Sequence, residues 1–105
     1  MSDMPDNQTT PDAQSPCQDG CARIVCVLND QGLHARPAAR LAQAAQGFEA
    51  DISITMGQTT VDAKSILDIL TLAAGHGVNL ELRARGADAD EALSTLEDMF
   101  KNRFQ

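Results

Sequence analysis

The sequence predicts an open-faced α+β sandwich in the order β-α-β-β-α-β-α, with its helices on one side of a sheet. Three observations carry that prediction. Short stretches alternate in polarity with a period of two, which gives each strand one apolar and one more polar face. Longer stretches repeat apolar residues at helical spacing. Gly, Asn and Asp cluster where one pattern gives way to the next.

From Ala22 to Leu28 the even positions (Ala22, Ile24, Cys26, Leu28) are all apolar, which suits a first strand. Asn29-Asp30-Gln31-Gly32 then breaks it with turn residues. Ala38, Leu41, Ala42, Ala45 and Phe48 follow at the spacing of an amphipathic helix, with Pro37 in its first turn and Gly47 at its end. Asp51 to Met56 alternates, with Ile52, Ile54 and Met56 on one face. Gly57-Gln58 reads as a hairpin turn into a short strand, Thr59 to Ala63, with Val61 and Ala63 inward. Ser65 and Asp68 resemble a capping box that opens a short helix from Ile66 to about Leu72. Val78 to Arg85 alternates again, with Val78, Leu80, Leu82 and Ala84 inward. Asp88 and Glu91 suggest a second capping box, and the last helix turns Ala89, Ala92, Leu93, Leu96 and Phe100 to the core. The strand order does not follow from this pattern.

Residues 1–20 differ from the rest. They hold three of the four prolines and four acids, with only two Met, Ala13 and Cys17 as apolar side chains. Such a segment buries too little apolar surface to offset its chain entropy, so a disordered polar tail is expected before a folded domain of residues 21–105. It has neither the basic start nor the apolar run of a secretory signal, and no other stretch is apolar enough to span a membrane. A cytoplasmic protein is expected.

The formal charge of −7 is unevenly shared: the tail holds Asp3, Asp6, Asp12 and Asp19 and no base, so residues 21–105 carry −3. An acidic domain with three Phe and no Tyr or Trp is a poor candidate for binding nucleic acid. Cys17, Cys21 and Cys26 give no disulfide framework. Cys26 reads as core filler. Cys17 and Cys21 could in principle bind a metal or respond to oxidation, but they lack a second ligand pair at zinc-site spacing, and neither metal nor cofactor is expected.

The stretch that carries chemistry is Gly32-Leu33-His34-Ala35-Arg36-Pro37-Ala38. It sets a histidine in the turn before a helix, where free amide N–H groups and the helix dipole favour an anion. Arg36 adds a permanent charge suited to phosphate oxygens, and Arg40 a weaker field one turn on. A neutral imidazole is a nucleophile near pH 7, and the charge developing on a phosphoryl group in transfer would meet Arg36 and the helix amides. On position alone a capping or turn role is the commoner fate of such a histidine. His76, between Gly75 and Gly77, has no adjacent arginine or helix start and reads as a loop residue.

These residues resemble a known family. The Gly32–Ala38 stretch is similar to the active-site signature of HPr, the histidine-containing phosphocarrier of the bacterial sugar phosphotransferase system. Val61-Asp62-Ala63-Lys64-Ser65-Ile66-Leu67 is similar to the family's regulatory serine segment, and Gly86-Ala87-Asp88 matches the opening of its last helix. The likeness covers about residues 22 to 104. It implies a four-stranded antiparallel sheet covered by three helices. It implies that His34 is phosphorylated on Nδ1 by enzyme I, charged in turn by phosphoenolpyruvate, and donates to EIIA domains of sugar permeases while Arg36 holds the group. Ser65 would be a target of an ATP-dependent HPr kinase/phosphorylase, with a simple N-cap as the alternative.

The apolar residues of the short helix are too many for one buried stripe, which marks Ile66, Leu67 and Leu70 as candidates for partner docking. Asp68 stands where the family usually has Gly, and Gln43 and Gln46 stand where many members are basic. The resemblance implies a monomer that other enzymes phosphorylate and discharge, with no membrane or nucleic-acid partner. A regulatory, nitrogen-type chain is the alternative to sugar transport. An interaction module without phosphorylation is a third reading, and retention of His34 and Arg36 argues against it.

Overall fold

A computed structural model describes residues 20–105, and the rest of the expected tail, with Cys17, lies outside them. The chain forms β1 (Cys21–Cys26), α1 (Ala35–Gln46), β2 (Asp51–Met56), β3 (Thr59–Asp62), α2 (Ile66–Thr71), β4 (Asn79–Arg85) and α3 (Ala89–Lys101). The strands make one antiparallel sheet in the order β1-β4-β2-β3. The element order and fold class expected from the sequence are those observed. No helix among the described residues is long and apolar enough to cross a membrane.

The register lines up one apolar row on the helix side. Val25 lies opposite Leu80, Ile52 opposite Ala84, and Leu82 opposite Ile54, which in turn faces Val61. Against this face pack Leu41, Ala42 and Ala45 of α1, Ile69 of α2, and Leu93, Leu96 and Phe100 of α3, all buried. Alanines dominate α1, which lets the helix lie close to its neighbours.

One expectation is corrected in β1. Its inward residues are Val25 and, just beyond the strand, Val27, whereas Ile24 is 64% exposed on the open face. Cys26 shares that outward phase and is a half-buried free thiol, not core filler. The cause is Arg23, which occupies the inward phase. Because β1 is an edge strand, the Arg23 stem can lie along the sheet while its guanidinium reaches Glu97 at 2.8 Å and Asp90 at 3.0 Å on α3.

A second correction concerns Asp88. It is the N-cap residue of α3, but its side chain makes no capping bond to that helix. Its two carboxylate oxygens instead accept the backbone N–H groups of Glu49 and Ala50, both at 2.8 Å. Gly86 makes this possible: at φ +142° it brings the end of β4 so close to Ala50 that a Cβ would sit 2.9 Å from the Ala50 Cα. Asp88 therefore clamps the α1–β2 connection.

The Glu49 amide, followed by those of Ala50 and Asp88 itself and the Lys64 charge, holds the Asp88 carboxyl below its usual 3.8, against a smaller opposing effect of desolvation. A depressed folded-state value means stabilisation present above the unfolded pKa and lost as pH falls through the folded one. Asp88→Asn is thus expected to be less stable than the natural chain at pH 7, with the gap closing below about pH 4. Urea midpoints at pH 7 and pH 3 test this. A gap unchanged between the two would show that the charge plays no part.

Candidate functional site

His34 is the N-cap of α1, with extended backbone and no hydrogen bond from its side chain to the helix. Its carbonyl accepts the Ala38 N–H at 3.0 Å, and Pro37 has no N–H. The donors left in the first turn are the amides of Ala35 and Arg36. No acidic residue stands in that turn to occupy them. The imidazole is exposed, while Leu33 before it is 3% exposed and anchors the loop in the core. The Leu33 N–H also donates to the Ala74 carbonyl at 2.9 Å. An exposed ring thus projects from an anchored backbone.

His34, Arg36 and Arg40 line one open cleft of about 460 Å³. Four further residues line it that sequence reading did not single out: Asn29 from the β1–α1 loop, and Arg103, Phe104 and Gln105 beyond α3. The Asn29 Nδ2 donates to the Arg103 carbonyl at 2.9 Å, and Arg40 Nη1 donates to the Phe104 carbonyl. The Phe104 ring is buried edge-on against Phe100, with centroids 4.8 Å apart. Arg103 and Phe104 both have left-handed backbone, φ +57° and +61°. For L residues that conformation costs on the order of 1–2 kcal/mol each, which the ring packing and the two carbonyl bonds offset. No sequence signal marks this turn, since the usual one is a glycine.

Ser65 lies elsewhere, at the start of α2. Its Oγ accepts the Asp68 N–H at 3.2 Å, so the capping expectation holds for that half of the box. The return bond is absent: an Asp68 carboxylate oxygen accepts the Asp62 N–H at 3.3 Å instead. Gln46 donates to the Lys64 carbonyl at 2.8 Å, and Lys64 Nζ to that of Phe48 at 2.8 Å. The acid and the amide that depart from the family's usual residues thus brace the loop before α2. On that helix Ile66 and Leu67 are 40% and 74% exposed, Leu70 is half-buried against the core, and Ile69 and Leu72 are buried. Ile66 and Leu67 are free to meet a partner. His76 lies exposed in a turn and does not line the cleft.

The fold and this cleft define a small open-faced α+β protein with an exposed, cationic helix start. A family model described as "PTS HPr component phosphorylation site" matches residues 22–102. The chain is 45% identical over 83 residues to the phosphocarrier protein HPr of Treponema pallidum, covering 79% of this chain and 94% of that one. Among solved structures it resembles HPr-C-His of Thermoanaerobacter tengcongensis, with a TM-score of 0.78 and 36% identity over 80% of this chain and 94% of the other. It also resembles the HPr of Bacillus anthracis, with a TM-score of 0.73 and 43% identity over 75% of this chain and 94% of the other. The chain belongs to the HPr family, the phosphocarrier proteins of the phosphotransferase system.

Proposed function

We propose that His34 receives a phosphoryl group from phosphorylated enzyme I and passes it to EIIA proteins or domains of sugar permeases. The observation that carries this reading is an exposed, unengaged imidazole in a cleft that also holds Arg36 and the open end of α1. In the first transfer an unprotonated ring nitrogen attacks phosphorus. The N–P bond forms as the donor's bond to phosphorus breaks, and that bond's electron pair stays with the donor. Negative charge on the three equatorial oxygens meets Arg36 and the Ala35 and Arg36 amides. The second transfer reverses the roles, with the imidazole as leaving group. Ile66 and Leu67 supply apolar contact for docking.

The test is phosphoryl transfer from phosphoenolpyruvate through enzyme I. An acid-labile, alkali-stable label on the natural chain supports the reading, and none with a competent enzyme I overturns it. Transfer onward to sugar-type rather than regulatory EIIA proteins separates sugar uptake from a nitrogen-type chain.

Ser65 is proposed as a second, regulatory phosphorylation site for an HPr kinase/phosphorylase. It stands beside the apolar patch of α2, where a charge of roughly −1.5 to −2 would alter docking. Asp68, whose amide already bonds Ser65 Oγ, places a carboxylate close by and makes the added charge less welcome than at an uncharged helix start. Alkali-labile incorporation from ATP, absent in Ser65→Ala, is the expected result. Equal incorporation in Ser65→Ala would assign the site elsewhere.

A further inference from the structure

Beyond α3 the chain turns back over the start of α1. The turn is held from two directions: Asn29 grips the Arg103 carbonyl and Arg40 the Phe104 carbonyl. Its own backbone closes it, with the Phe104 N–H donating to the Met99 carbonyl at 2.8 Å and the Arg103 N–H to that of Phe100 at 3.2 Å. The Asn29 amide has one sensible orientation, since reversing it would set its oxygen against the Arg103 carbonyl. Two consecutive non-glycine residues in left-handed backbone are disfavoured, and such strain concentrates where a side chain must be aimed.

The residue so aimed is Arg103. Its neighbour Phe104 turns inward and is buried, while Arg103 stays exposed and lines the cleft with His34, Arg36 and Arg40. Arg103 makes no ion pair among the described residues, and no Asp or Glu side chain lines the cleft. Arg40 gives one of its guanidinium N–H groups to the Phe104 carbonyl and so ties the turn to α1. Arg36 and Arg103 keep their donors for a ligand.

We propose that Arg103 is a further phosphate-binding residue of the carrier site, with Asn29 and Arg40 as the positioning residues that present it. The assignment rests on the reading of His34 as the phosphoryl acceptor. Arg36 approaches from the first turn of α1 and Arg103 from beyond α3, so the two forks can grip different oxygens of one phosphoryl group. Arg103 thereby acts on the loaded carrier, holding the group on His34 between donor and recipient.

The test is titration of inorganic phosphate into the full chain, followed by the backbone amide NMR shifts of Ala35 and Arg36. Arg103→Gln is expected to weaken phosphate binding roughly three- to tenfold, with Arg103→Lys recovering part of the loss. Asn29→Ala, which keeps the arginine but frees the turn, should weaken it in the same sense. Arg83→Gln, on the open face of the sheet, removes an equal charge and should change little. Unaltered binding in Arg103→Gln, or an equal loss in Arg83→Gln, overturns the assignment, as does a natural chain that binds no phosphate. Normal binding in Asn29→Ala overturns the positioning role. Because enzyme I takes no part, a chain that binds phosphate through Arg103 yet takes no label from phosphoenolpyruvate would defeat the carrier reading alone.

Discussion

His34→Ala should take no label from phosphoenolpyruvate and enzyme I, yet melt within about 4 °C of the natural chain. The two halves of this result have separate causes. The imidazole is the nucleophile in the proposed transfer, and no other group in the cleft can replace it: guanidinium stays protonated, and an amide is a poor nucleophile. The remaining histidine, His76, lies exposed outside the cleft and away from any helix start. The stability half follows from what the His34 ring does not do. It is exposed and makes no capping bond, so its removal should cost no more than about 0.5 kcal/mol. Labelling of His34→Ala at the natural rate would remove His34 from the mechanism. A chain that fails both to label and to fold is separated by melting it beside the natural one, and an unfolded variant would contradict the exposed, unbonded ring.

Gly32→Ala should do the opposite, damaging the fold first and the site as a consequence. Gly32 has φ +72°, and a Cβ there would lie 2.3 Å from the Ala74 carbonyl oxygen and 2.8 Å from the Gly75 Cα. Both obstacles are backbone, so no side-chain rotation relieves them. Moving the 74–75 segment breaks the bond from the Leu33 N–H to the Ala74 carbonyl and loosens Leu33 in the core. Left-handed strain, one buried hydrogen bond and disturbed packing together suggest at least about 3 kcal/mol. For a domain of this size that lowers the melting temperature by roughly 12–24 °C. A loss under about 1 kcal/mol, read from urea denaturation, would show that the loop yields easily and that Gly32 does not fix the height of His34.

Much of this was legible in the sequence because apolar periodicity reports burial directly. Ile52, Ile54, Leu80 and Leu82 alternate without interruption, and the strands that carry them lie as their pattern says. β1 misled through one residue. Arg23 breaks the inward row Arg23, Val25, Val27, so the unbroken even row looked like the core face, and only an edge position lets an arginine sit there. Asp88 misled for a different reason. Its spacing to Glu91 is local, whereas its actual partners at 49 and 50 are far along the chain, and only the fold brings them together. In the site, His34 and Arg36 were legible since one short motif holds both. Asn29 and Arg103 were not, being 74 positions apart and joined through a side-chain-to-backbone bond that no composition rule encodes.

The sheet order has a consequence for how the molecule comes into being. β4 lies between β1 and β2 and pairs with both, so neither the first strand nor the β2–β3 hairpin can find its place in the sheet until the last strand exists. The loop before that strand supplies the Ala74 carbonyl on which Leu33, and so the histidine turn, rests. A chain emerging from the ribosome therefore passes most of its length with its site unassembled, and long-range pairing sets the pace of its folding. The assembled site is a late, all-or-none product of folding, and a nascent chain without β4 has no means of presenting it.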